Sequence, residues 1–125
     1  MHQQVEKWKA AWESLDAEKV AAMRAPSARH QSAWIDRLYP ELGRAELRGR
    51  DEIREYARRV FTRFTQIGFE ILTVVEDATH AAVEYRRHSN VDGANPAYVL
   101  ELLEWSGDVR TSVLVSIFSA APEAP

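Results

Sequence analysis

Glu101 is the residue with the most chemical promise. In the stretch AYVLELLEW (97–105) a period of two sets it on one strand face with Val99, Leu103 and Trp105, all apolar. A carboxyl group in such company has its charged form disfavoured and its pKa raised, which suits an acid or a hydrogen-bond donor at neutral pH. In the competing reading this face looks to solvent or to a partner subunit, with Glu101 paired to an arginine. His30 is the second candidate. The same period two in ARHQSAWI (28–35) places it with Ser32 and Trp34. An imidazole there can titrate near neutral pH and move a proton, although a lone histidine near a core also serves as a hydrogen-bonded structural residue. Asp36 follows at once and has the chemistry of a base, against the simpler reading of an exposed loop aspartate.

Other groupings fail on spacing or company. His80, Glu84 and His88 share a strand face, but positions four apart lie roughly 13 Å from one another along a strand, too far to hold one ion. No metal site and no cofactor site follow. The arginines between 44 and 63 are interleaved with Glu46, Asp51, Glu52 and Glu55, as on a solvated helix face. There is no glycine-rich phosphate loop, no Ser/His/Asp signature, and no aromatic–basic alternation suited to single-stranded nucleic acid. The chain has no cysteine, which excludes disulfides, thiol nucleophiles and thiolate metal ligands.

The elements that must position these residues read clearly. Val5, Trp8, Ala11, Trp12 and Leu15 recur at helical spacing. Ser14 and Asp16 are capping residues for a second short helix carrying Val20 and Met23, stopped by Pro26. A strand over 28–35 comes next, then a loop or rim from Asp36 to Gly43. The third helix opens at Gly49 and presents Ile53, Tyr56, Ala57, Val60, Phe61 and Phe64 on one wide apolar face. Asp51, Glu52 and Glu55 lie early in it and Arg58, Arg59 and Arg63 late, as the helix dipole favours. From Gly68 the pattern is strands over 68–77, 79–88, 97–105 and 109–118, with turns at Asp77-Ala78, Asp92-Gly93 and Ser106-Gly107-Asp108. The predicted class is α+β, three N-terminal helices against a curved, mainly antiparallel sheet. The strand at 97–105 is apolar on both faces, so a second copy of the chain is expected to cover Tyr98, Leu100 and Leu102.

Length and composition set the remaining bounds. At 125 residues one domain is expected, able to bury roughly two-thirds of its unfolded surface, with a short disordered tail at 120–125. Hydrophobic content of 46% and charged content of 28% are those of an ordinary globular protein. A net charge of -3 offers no basic field to nucleic acid or anionic lipid. The polar N-terminus lacks a signal core and no run approaches the roughly 20 apolar residues of a membrane span, so a cytoplasmic location is expected.

The order of "AW…LD" helices, a strand, "LRGRDEIREY" opening the long helix, and a final "ELLEW–SGD–VRTSVLVSIF" hairpin resembles the nuclear transport factor 2-like superfamily, in particular its SnoaL-like and ketosteroid isomerase-like members, over about residues 4–118. The resemblance implies a cone-shaped, cystatin-like α+β roll, its bent sheet wrapped around the long helix and enclosing an apolar pocket open at one end. It also implies dimerisation through the sheet. Enzymatic members act without metal or organic cofactor on hydrophobic rings, by proton transfer, cyclisation, dehydration or epoxide opening; others only bind a partner or a small molecule. Carried over by position, the oxyanion-donating tyrosine of the isomerases falls on Trp8. Their base falls on Ser32, or on Asp36 if the loop is longer. Their protonated acid falls on Glu101, four residues before Trp105. The wall of the pocket would then comprise Trp8, Trp12, Ser32 and Trp34, with Tyr56, Val60, Phe61 and Phe64 behind and Leu103 and Trp105 from the strand. Two functions remain open: a cofactor-independent isomerase, cyclase, dehydratase or hydrolase acting on a small hydrophobic cyclic molecule, or a non-catalytic ligand-binding or association domain.

Overall fold

The computed structural model describes residues 2–107 in full and the backbone of the strand at 109–117. Its first helices are α1 (Gln3–Glu13) and α2 (Ala17–Ala22), the latter capped by the Asp16 carboxylate accepting from the Glu18 N–H. Strand β1 (Arg24–Gln31) follows, then a one-turn helix α3 (Ile35–Leu38) and a short 3-10 turn. Strand β2 (Glu46–Arg48) leads into the long helix α4 (Arg50–Arg63). The rest is meander: β3 (Ile67–Glu76), β4 (His80–Ser89), β5 (Ala97–Ser106) and β6 (Val109–Ile117).

Six strands form one sheet in the order β2-β1-β6-β5-β4-β3. Every pairing is antiparallel except β1 with β6, which is parallel. The α+β class, with helices at the N-terminal end of the chain and an antiparallel sheet, is thus the one the periodicities predict. Hydrophobic burial explains the arrangement. Val5, Trp8, Ala11 and Trp12 of α1, and Ile53, Tyr56, Ala57 and Val60 of α4, are buried against the inward residues of the strands.

Three boundaries differ from the sequence reading. Pro26 does not stop α2; it lies inside β1, where the pairing with β6 slips between Arg24 and Arg29 and its missing N–H breaks no ladder bond. The strand therefore starts earlier than expected and ends at Gln31, so Ser32 and Trp34 lie just beyond it. The expected loop after Trp34 holds a turn of α-helix, whose Ile35 and Leu38 are buried while Asp36 stays exposed. The tail at 120–125 and the end of the last turn at Asp108 lie outside the described residues.

On β5 the alternation is strict. Ala97, Val99, Glu101, Leu103 and Trp105 are all buried, and Leu102 on the opposite face is 43% exposed. Val75 on the same outer side of the sheet is 68% exposed. Among the described residues no helix is long and apolar enough to cross a membrane.

Candidate functional site

Glu101 is buried, and two donors meet it there. The indole N–H of Trp8 donates to Oε2 at 2.7 Å, and the phenol of Tyr85 donates to Oε1 at 2.7 Å. Each comes from a different element: Trp8 from the buried stripe of α1, Tyr85 from β4, Glu101 from β5, where Tyr85 pairs with Val99 two positions away. An indole N–H can only donate, so Oε2 is an acceptor. The Tyr85 hydroxyl is held well above the usual phenol range, first by burial and then by the charge of Glu101, so it keeps its proton and donates.

Around this trio lies a half-open cavity of about 70 Å³, or about 550 Å³ when all empty space out into the solvent at its mouth is counted. Trp8, Phe69 and Tyr85 form a mutually packed aromatic corner, Trp8 stacked on Phe69 at 5.1 Å between centroids and Tyr85 edge-on to Phe69 at 4.8 Å. Across the cavity stand Trp12, His30, Ser32 and Tyr56. His30 lies 5.7 Å from the Tyr56 ring and 6.4 Å from Trp12. Its Nδ1 is 3.2 Å from Nη1 of the fully buried Arg24. A guanidinium has donors and no acceptor, so Nδ1 takes that bond and the ring proton resides on Nε2. The Tyr56 hydroxyl is also pushed up by burial, with the Ser32 side chain opposing that effect and the Glu101 charge adding to it.

The half-buried lining residues, Trp34, Ile67 and Arg87, mark the cavity's more exposed side, with buried Phe64 beside them. The Arg87 guanidinium lies over the Trp34 ring at 5.3 Å and the Phe64 ring at 5.1 Å. Its Nε and Nη2 donate to the two oxygens of Asp92 at 2.9 and 2.7 Å.

The structure brings Trp8, Trp12, His30, Ser32, Trp34, Tyr56, Val60, Phe64 and Glu101 to one cavity. It does not bring the other four expected residues there. Asp36 lies on the exposed side of α3, because the buried side of that turn is taken by Ile35 and Leu38. Phe61 sits at the edge of the α4 stripe and turns to the helical hairpin, edge-on to Trp12 at 5.5 Å beside a surface groove with Leu15 and Ala17. Leu103 and Trp105 lie further along β5 than Glu101, do not line the cavity, and belong to the buried core. Trp105 donates its N–H to the Ala78 carbonyl at 2.8 Å and packs on the His2 ring.

Sequence reasoning missed Ile67, Phe69, Val99, Tyr85 and Arg87. The signal for the last two was present: Ala81, Val83, Tyr85, Arg87 and Ser89 alternate on β4, and an arginine in an inward position is rare without a purpose. The histidines that stand out on β4 belong to its outward face, where His80 pairs with Glu104 and His88 with Glu70 on the surface.

The structure is similar to a SnoaL-like protein of unknown function from Burkholderia thailandensis, at 20% identity and a TM-score of 0.75, covering 94% of this chain and 92% of that one. It is similar to an NTF2-like protein from Anabaena variabilis, at 17% identity and a TM-score of 0.78, covering 95% and 87%. It is also similar to a protein of ketosteroid isomerase-like fold from Catenulispora acidiphila, crystallised in complex with trimethylamine, at 19% identity and a TM-score of 0.74, covering 91% and 84%. These likenesses establish the fold. No curated protein matches the chain by sequence. The sequence itself matches the SnoaL-like domain family over residues 5–118, and the chain belongs to that family.

Proposed function

We propose that this SnoaL-like protein binds a small, hydrophobic, cyclic molecule in the Glu101 cavity and moves a proton on it without a cofactor. The observation that carries the reading is the buried Glu101 carboxylate, held by Trp8 and Tyr85 in the wall of an aromatic cavity. A carboxylate fixed in one rotamer and shielded from water is suited to take a proton from carbon. Both of its oxygens accept hydrogen bonds, which favours the base's role over the acid's role expected from the sequence. Across the cavity, the neutral His30 Nε2–H and the hydroxyls of Ser32 and Tyr56 supply donors for the oxyanion formed when a proton leaves the carbon next to a carbonyl. In this scheme the proton goes from carbon to Glu101, the carbonyl oxygen takes up the negative charge, and return of the proton at another carbon completes an isomerisation.

Deuterium incorporation at carbon tests the reading. Incubation of 2-tetralone and related cyclic ketones in heavy water, followed by proton NMR, should show exchange accelerated by the wild-type protein. Glu101→Gln, which keeps shape and loses basicity, should slow that exchange by roughly a hundredfold or more. Binding of the ketones without any exchange above the Glu101→Gln background would favour the second reading, a non-catalytic ligand-binding domain.

A further inference from the structure

We propose that Arg87 reads the polar end of the ligand, and that the ligand is a ring-bearing carboxylic acid whose carboxylate lies at the cavity rim. This deepens the reading of the Glu101 cavity as a small-molecule site and rests on it. Arg87 occupies an inward position of β4, where an uncompensated charge is expensive. Asp92, in the turn after β4, supplies the compensation, and the pair is well shielded, with side-chain exposures of 11% and 7%. Asp92 is itself fixed, accepting from the Ser89 hydroxyl at 2.7 Å while its own N–H donates to that hydroxyl oxygen at 3.1 Å. The guanidinium is thus oriented before any ligand arrives.

What the pairing leaves over matters more. A guanidinium carries five N–H groups, and Asp92 engages Nε and one N–H of Nη2. Among the described residues Nη1 donates no hydrogen bond. The fork formed by Nη1 and the second N–H of Nη2 is the edge that grips a carboxylate with two parallel bonds. A guanidinium needed only to neutralise Asp92 would not have to line the cavity, yet Arg87 does so, between Trp34 and Phe64.

Register fixes where this end lies relative to Glu101. On the β4–β5 ladder Arg87 pairs with Ala97, and Val83 pairs with Glu101. Four positions separate the two levels, roughly 13 Å along the strands. Tyr85 stands between the two levels on β4, its hydroxyl bonded to Glu101. A second anion at the inner end would meet the Glu101 carboxylate, and a cation at the rim would meet Arg87. The geometry therefore selects a molecule with a hydrophobic ring inward and a single carboxylate outward.

Equilibrium binding of three probes of one shape tests this: 2-naphthoate, 2-methylnaphthalene and 2-naphthylmethylammonium, followed by tryptophan fluorescence and calorimetry. The wild-type protein should bind the naphthoate about tenfold or more tighter than the hydrocarbon, and the ammonium weakest. Arg87→Met alone strands Asp92, so the informative variants are Arg87→Lys, which keeps charge without the fork, and the double variant Arg87→Met/Asp92→Asn. Arg87→Lys should lose most of the preference for the acid. The double variant should lose all of it while still binding the hydrocarbon. Equal affinity for acid and hydrocarbon in the wild type, tightest binding of the ammonium, or an undiminished preference in the double variant would overturn the assignment. Failure of all three probes to bind would overturn the cavity reading as well, whereas hydrocarbon binding without acid preference would overturn Arg87 alone.

Discussion

Tyr56 and Tyr85 carry a consequence that can be measured without knowing the ligand. Both phenols are buried, and burial is the largest cause holding each above the ordinary value of 10.0; the charge of Glu101 adds to it. In the unfolded chain they would ionise near that ordinary value. The folded state keeps the proton where the unfolded state releases it, so stability from this source is full below pH 10 and falls as pH rises beyond it. Of the four tyrosines, Tyr56 and Tyr85 should therefore ionise only as the protein unfolds. An alkaline titration that follows tyrosinate absorbance and circular dichroism together should show these two groups titrating in step with loss of structure. If all four ionise before the structure changes, the burial of Tyr85 against Glu101 is not maintained in solution. The same residue scale explains what the sequence showed of the site. Glu101 was legible because three apolar neighbours on a single strand, Val99, Leu103 and Trp105, advertise a buried carboxyl. The alternation of β4 marks Tyr85 as inward but not as a partner of Glu101, because that bond joins residues on two strands.

At the scale of elements, the start of α4 rests on Gly49. Its φ of 89° with ψ of 159° is a conformation open in practice only to glycine, and its N–H donates to the Ala28 carbonyl of β1 at 2.8 Å. With no side chain at the cap, Glu52 does that work from inside the first turn. Its carboxylate accepts the Arg48 N–H at 2.8 Å and pairs with Arg44. Burial resists the charge on Glu52, yet the Arg48 amide and the Arg44 guanidinium outweigh it and hold its pKa below the usual range. Gly49→Ala should cost about 1–3 kcal/mol, read as a lower urea midpoint with an unchanged slope. A midpoint equal to wild type would mean that α4 is not pinned to β1 at this turn. Elements with strong periodicity, α1, α4, β4 and β5, were legible for the same reason: each buries one face. The misreadings fell where periodicity is weak. Three residues of β2 are too few to show a pattern, and Pro26 signals a breaker whether it ends a helix or sits at a slip in a strand.

For the whole molecule, the outer face of the sheet sets the open question of association. Val75, Leu102 and Leu72 are exposed there, and Thr73, Tyr98 and Leu100 border a shallow hollow between them. Apolar surface of this kind on one layer of sheet is what a second copy would cover. Light scattering at micromolar concentration should give a mass of twice the chain's 14.3 kDa, and Leu102→Asp should return it to the single value. A wild-type monomer would reject the sheet-mediated dimer and leave the cavity reading untouched, since Glu101 and Arg87 belong to the inner face.

The bond between Trp8 and Glu101 joins positions 93 apart in the chain. That separation orders events in time. A chain emerging from the ribosome exposes the Trp8 stripe of α1 long before β5 exists to receive it, and the carboxyl of Glu101 stays hydrated until that stripe docks. The cavity thus cannot close until α1 and β5 have met, and the Trp8 indole passes from water to a buried hydrogen bond at that step. In a variant that keeps Trp8 and replaces the other three tryptophans by phenylalanine, indole fluorescence should change with that docking and not with formation of the local β3–β4 hairpin.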